Sequence, residues 1–148
     1  MSHPKGTTTI TLKVSTNLIN QSNVNTYAQF TDNWNENETG NDPKDYVSKV
    51  DKDKDIVWKG AINTDPGQSS SGDTVQIVVV FKQPGTSDAN DILNEDSYYL
   101  SNGTVTGKAK KSVSDTAIEP YLLVFSVTIF ATQATTYYLI DPKLAINS

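Results

Sequence analysis

The sequence contains no cysteine and no arginine, and its single histidine is His3. The first absence removes disulfides, zinc–thiolate centres and thiol nucleophiles. The second leaves lysine as the whole basic inventory, 12 residues against 17 acidic ones, for a formal net charge of −5. Phosphate recognition favours basic surfaces and the guanidinium fork, so nucleic acid is not an expected partner. One imidazole near a terminus supports neither a Ser-His-Asp triad nor a multi-histidine metal site. Long apolar runs are missing too. The longest, Ile77 to Phe81 and Tyr121 to Phe125, fall far short of the roughly 20 residues that a membrane helix needs. Nor does the start of the chain carry the apolar stretch of about 7–15 residues that marks a signal peptide. The expectation is a soluble, cytoplasmic chain with no membrane partner.

What the sequence has in quantity is small polar residues: serine, threonine and asparagine together number 45 of the 148. Threonine favours strands, while serine and asparagine favour turns. The patterning agrees. Thr9 to Val14 alternates Ile10, Leu12 and Val14 with Thr9, Thr11 and Lys13, the period of a half-buried strand. Asp55 to Ile62, Thr74 to Phe81, Thr104 to Ala109 and Tyr121 to Phe130 read as further strands. Thr136 to Ile146 closes the chain, with a kink expected at Asp141-Pro142 because proline cannot donate to a ladder. Val24 to Phe30 reads either as a strand or as an irregular segment, and Asp42-Pro43 suits the start of one helical turn. Turn residues at 39–43, 65–72, 83–85 and 101–103 separate these runs. Length suits one domain of about 150 residues, here residues 1–148 with 1–6 as a flexible arm. The expected fold is all-β, a single antiparallel sandwich of immunoglobulin-like or jelly-roll-like type with six to eight strands.

Several side chains stand out as candidates for function. Asp51, Asp53 and Asp55 alternate with Lys52 and Lys54 like the opening of a calcium loop. That loop then fails, because Ile56 and Ile62 stand where it needs glycine and glutamate. A solvated, aggregation-resistant edge explains the run better. Asp32 and Glu36 flank Trp34 in a polar loop and complete the set of weak calcium ligands. Trp34 has no apolar neighbour from Thr31 to Gly40. It reads as a lid on the core or a subunit contact, with sugar stacking as the other option. Trp58 lies on the apolar face of its strand and reads as core. The pairs Tyr98-Tyr99 and Tyr137-Tyr138, if on strands, turn one ring inward and one outward, and the outward rings are candidate contacts. Glu95 and Glu119 are the acids to watch for paired-carboxylate glycoside hydrolysis, although no motif points to an enzyme.

Two segments carry a family resemblance. Val50 to Gly60, an acidic turn leading into a strand with tryptophan, resembles the corresponding part of the AidA/PixA-type bacterial inclusion-body proteins. So does Tyr137 to Ile146, an aromatic strand, an Asp-Pro kink and a final strand, and the order and separation of the two segments fit. The N-terminal part lacks that family's Pro/Asn-rich stretch. The resemblance implies a cytoplasmic β-sandwich that accumulates or assembles, and it brings no catalytic residue with it.

The sequence therefore predicts a non-enzymatic β-protein that works by protein–protein contact or self-assembly, as a homo-oligomer, with Trp34 and the outward tyrosines as anchors. The alternative is a lectin-like module that binds a glycan through Trp34 and its neighbouring acids, with calcium assisting.

Overall fold

The structure, a computed structural model, describes residues 4–34 and 43–147. Strands β1 (Thr8–Val14), β2 (Ala28–Asp32), β3 (Val47–Val50), β4 (Asp55–Ile62) and β5 (Thr74–Lys82) make up the first half. Strands β6 (Ser97–Ser101), β7 (Thr104–Lys108), β8 (Ile118–Ile129), β9 (Ala134–Ile140) and β10 (Lys143–Ile146) follow. Helix is confined, among the described residues, to α1 (Val24–Tyr27) and two 3₁₀ turns, Pro43–Asp45 and Asp88–Asn90. The chain is all-β, as its patterning predicts.

The architecture corrects the expected six-to-eight-strand sandwich. Ten strands form one nearly closed, barrel-like sheet in the order β2-β1-β4-β7-β6-β5-β8-β10-β3, with β9 also hydrogen-bonded to β8. Nor is the sheet purely antiparallel: β1 runs parallel to β4, and β10 runs parallel to β3. The extra strands are short ones that alternation alone does not reveal. β3 has four residues and β6 has five, partly or wholly exposed along its length. The closing segment divides at Asp141-Pro142 into β9 and β10, which lie end to end along the same side of β8. Val24 to Phe30 splits between α1 and β2. The hairpin joining β6 to β7 turns at Asn102 and Gly103, both with positive φ (53° and 84°), the backbone that a two-residue hairpin loop requires.

Inward residues alternate along every long strand and meet in one core. Trp58 of β4 donates its indole N–H to the Tyr121 hydroxyl of β8 at 3.0 Å across the interior, and the rings meet edge-on at 5.7 Å. Phe30 stacks on Tyr46 at 5.0 Å and Phe125 on Tyr138 at 5.2 Å. At Gly60 the two sides of the sheet come together so closely that a Cβ would lie 2.5 Å from the Val75 carbonyl oxygen. Only glycine lets β4 approach β5 there.

Between β2 and β3, side chains take the place of a ladder. Asp32, at the end of β2, accepts hydrogen bonds from the Tyr46 hydroxyl (2.5 Å) and the Ser48 hydroxyl (2.9 Å). Burial and that carboxylate push the Tyr46 phenol well above its ordinary pKa, so it stays a neutral donor. Thr8 of β1 reaches the Lys49 carbonyl at 3.2 Å. Asp51 receives the Gly6 N–H and the Asn147 side-chain amide, each at 2.6 Å. Lys5 donates to the Asn147 carbonyl at 3.3 Å. Within the segment expected to be a loose arm, then, Lys5 and Gly6 are tied to β3 and the C-terminus.

Candidate contact surface

The outer face of β6, β5, β8 and β9 differs from the rest of the barrel. Cross-strand register sets Tyr99 opposite Val79, Val79 opposite Val124, and Val124 opposite Leu139. These four side chains form one row across four strands, with Phe81 and Leu122 paired beside it. The alternating inward residues of β8, Tyr121, Leu123, Phe125 and Val127, are all buried. The row therefore points outward. Tyr99 is 69% exposed, Leu139 56% and Tyr137, one step along β9, 58%; the valines are half-buried.

This face carries no charge. The only charged residues in the four strands are Lys82 and Glu119. Both are inward-facing, with the Lys82 ammonium 3.2 Å from the Glu119 carboxylate. On the opposite side of the barrel, β1, β4 and β7 turn Lys13, Asp55, Lys59 and Lys108 to the exterior. A mixed-charge surface keeps a β-protein apart from its neighbours. One half of this sheet has that protection and the other does not.

The sequence-predicted residues fall into three groups. Tyr99 and Tyr137 are outward and exposed, while Tyr138 is buried against Phe125. Tyr98 turns in, half-buried, 6.4 Å from the Trp58 ring. Alternation therefore puts one ring of each pair on either side, and of the four rings only Tyr99 and Tyr137 share the uncharged outer face. Trp34 lies elsewhere and folds back: its indole N–H donates to the Thr8 hydroxyl at 3.0 Å, and its ring sits beside Gly6. It closes the β1 end of the seam, as a lid does.

Among the described residues the candidate calcium ligands have separate surroundings. Asp32 and Asp51 are buried acceptors in the seam, Asp53 pairs with Lys108 at 3.4 Å, and Asp55 is exposed. Glu36 lies outside the described residues. Among the described residues no group of three or more histidines, cysteines and acids is placed to hold a metal ion. Among them, too, no helix is long and apolar enough to cross a membrane.

Sequence reasoning named Glu119 but not the charge cluster that it joins at the barrel end. Glu119 is fully buried; one oxygen accepts the Ile92 and Leu93 N–H groups at 2.6 and 2.7 Å, and the other faces Lys82. Asp91 binds Lys82 and Lys110. Beside it the loop after β5 forms a cleft of about 370 Å³, lined by Lys82, Thr86, Asp91 and Asp96 among others. Glu95, by contrast, is exposed, and its backbone N–H donates to the Tyr98 hydroxyl. The two acids singled out for hydrolysis thus have unlike surroundings, and the Glu119 oxygens are occupied.

Burial alone would raise the Asp91 carboxyl, but hydrogen bonds and charge from Lys110 and Lys82 outweigh it and hold the group below the usual carboxylate range. Such a group contributes stability above its unfolded pKa of about 3.9 and loses it as pH falls through the lower folded value. The Asp91 hydrogen bond likewise raises Lys110, whose share is present below the unfolded value of about 10.4 and lost above it. Comparing wild type with Asp91→Asn in urea should therefore show a stability gap that is flat from about pH 5 to pH 9 and closes below about pH 4. A gap independent of pH down to pH 2 would contradict the ion pairing.

No family model matches the chain, and no curated protein matches it significantly.

Proposed function

We propose that this chain is a non-enzymatic protein that works by protein–protein contact, through the outer face of β6, β5, β8 and β9. One observation carries the reading: four adjacent strands present an apolar and aromatic row with no charged residue among their outward positions. Contiguous exposed apolar surface of this kind marks interaction sites, and tyrosine is among the residues that concentrate binding energy. The resemblance of Val50–Gly60 and Tyr137–Ile146 to inclusion-body proteins points the same way, to a cytoplasmic protein that accumulates by association.

Hydroxyl-radical footprinting tests this. Tyr99 and Tyr137, exposed in the single chain, should react several-fold more slowly in intact producing cells than in dilute purified protein. Phe130, also exposed but beyond the row, serves as the internal standard. Equal protection ratios for all three rings would refute the contact reading.

The carbohydrate-binding alternative has one observation in its favour. Lys13, Ser15, Thr26, Tyr27, Gln29, Asn63 and Gln68 line a polar cleft of about 150 Å³ at the end of β1. A glycan would find amides, hydroxyls and one aromatic ring there, rather than at Trp34. Calorimetric titration with neutral and acidic monosaccharides tests that reading, and Gln29→Ala with Gln68→Ala should abolish any heat observed.

A further inference from the structure

We infer that the occupant of this face is a second copy of the chain, packed face to face about a two-fold axis. The inference rests on the contact reading above and names its partner. Its first ground is charge. With a net charge of −5, two copies repel through most of their surfaces, and the uncharged half of the sheet is where close approach costs least. A second copy brings an equally uncharged face. A partner of mixed charge would leave its ions desolvated against valine and leucine, which is expensive.

The second ground is the symmetry of the row. Its order across the sheet is Tyr99, Val79, Val124, Leu139. A two-fold axis lying in the interface along the strands, between β5 and β8, reverses that order. It places Tyr99 of each copy over Leu139 of the other and Val79 over Val124, so that large meets large at both ends and small meets small at the centre. Isologous pairing of this sort is the commonest oligomeric arrangement, and aligned packing about 10 Å apart is a standard way for two sheets to meet.

The third ground is area. Four strands about 4.8 Å apart and about seven residues long at roughly 3.3 Å each give a face on the order of 440 Å² in plan. Side-chain relief enlarges it, so two faces bring together on the order of 1,000 Å², the lower threshold for a specific protein pair. β9 adds a boundary. At the middle of its outer edge the Gln21 amide donates to the Tyr137 carbonyl at 3.0 Å, a side-chain contact that interrupts the row of backbone groups a further strand would need there.

Photo-crosslinking decides the matter and separates this inference from the reading beneath it. The full chain carries p-benzoylphenylalanine in place of Leu139 and is irradiated in the producing cells. The expected product has twice the chain mass, maps by mass spectrometry to Tyr99 and its β6 neighbours in the other copy, and falls at least tenfold in yield when Tyr99→Lys is added. Both positions are exposed, and circular dichroism verifies that each variant folds. A doubled mass that maps away from β6, or survives Tyr99→Lys, overturns the two-fold arrangement. An adduct with a different protein overturns the second copy while leaving the contact reading standing. No intermolecular adduct overturns both.

Discussion

Replacing Glu119 by alanine is expected to destabilise the fold by about 3–5 kcal/mol, the cost of breaking a buried ion pair by removing one partner. The carboxylate is fully enclosed, and three groups depend on it: the Ile92 and Leu93 N–H groups and the Lys82 ammonium. Removing it strands two backbone donors, each costing about 1–3 kcal/mol when left unsatisfied in the interior. It also leaves Lys82 with Asp91 as its remaining partner. Glu119→Gln separates the contributions, because its amide oxygen still accepts from Ile92 and Leu93 while the charge facing Lys82 is lost. Urea unfolding should rank wild type above Gln and Gln above Ala, with the Ala midpoint lower and the slope unchanged. The loop from β5 to β6 should lose amide protection first, since Ile92 and Leu93 are its anchor. A loss below about 1 kcal/mol for the alanine variant, against the cost of a broken buried pair, would show that the pocket relaxes or fills with water. The same replacement tests the placement of the contact face, because Glu119 and Lys82 are the two charges that β8 and β5 turn inward.

How much of this was legible in the sequence depends on strand length and on which side chains speak for themselves. The boundaries of β4 follow directly from the alternation of Ile56, Trp58 and Ile62, and β1 and β5 agree to within a residue. Long strands with one buried face announce themselves through period two. β3 and β6 do not. Four residues give too few alternations, and Tyr98, Tyr99 and Leu100 run apolar through both faces of β6. Without those strands, a barrel of ten looks like a sandwich of six to eight. The site was half legible. Doubled tyrosines guarantee one outward ring each, but which ring turns out depends on register, and Val79, Val124 and Leu139 resemble core in a linear reading. The bulge between Ile77 and Val79 shifts the parity of β5, so Val79 faces out where strict alternation from Ile77 would have put it inside. For Trp34 the lid reading could be made from sequence but its contacts could not, because its sequence neighbours are polar and its spatial neighbours, Gly6 and Thr8, arrive from residues far earlier in the chain. The contacts of Asp32 and Asp51 were hidden for a similar reason. Acids in a polar segment suggest solvent or a cation, yet here Asp32 accepts from Tyr46 and Ser48, tying β2 to β3, and Asp51, just after β3, accepts from Gly6 just before β1.

Trp58→Ala is expected to cost about 3–5 kcal/mol, the range for emptying a buried aromatic site, and the size of the barrel argues for the upper part of it. Trp58 is fully buried and touches Tyr98 from β6 and Tyr121 from β8, so it joins the charged half of the sheet to the uncharged half. A cavity there cannot collapse easily, because Gly60 already holds β4 at its limiting distance from β5. Trp58→Phe isolates the polar component. It retains a ring but strands the Tyr121 hydroxyl, which burial has pushed far above its usual pKa and which cannot escape by ionising. That variant should lose about 1–3 kcal/mol beyond the volume effect. Adding Tyr121→Phe removes the stranded hydroxyl, so the double variant should be no less stable than Trp58→Phe alone. Such non-additivity is the signature of two side chains acting as one unit. Strictly additive losses in urea would mean that the indole and the phenol are not hydrogen-bonded across the interior, and the placement of Trp58 opposite Tyr121 would then have to be redrawn. The outward tyrosines supply the control. Tyr99 lies on β6 with its ring in solvent, so Tyr99→Lys should leave the unfolding free energy within about 0.5 kcal/mol of wild type at concentrations too low for pairing, while abolishing association. Stability that resides in Trp58 and association that resides in Tyr99 would then separate across β6, where Tyr98 faces the core and Tyr99 faces outward.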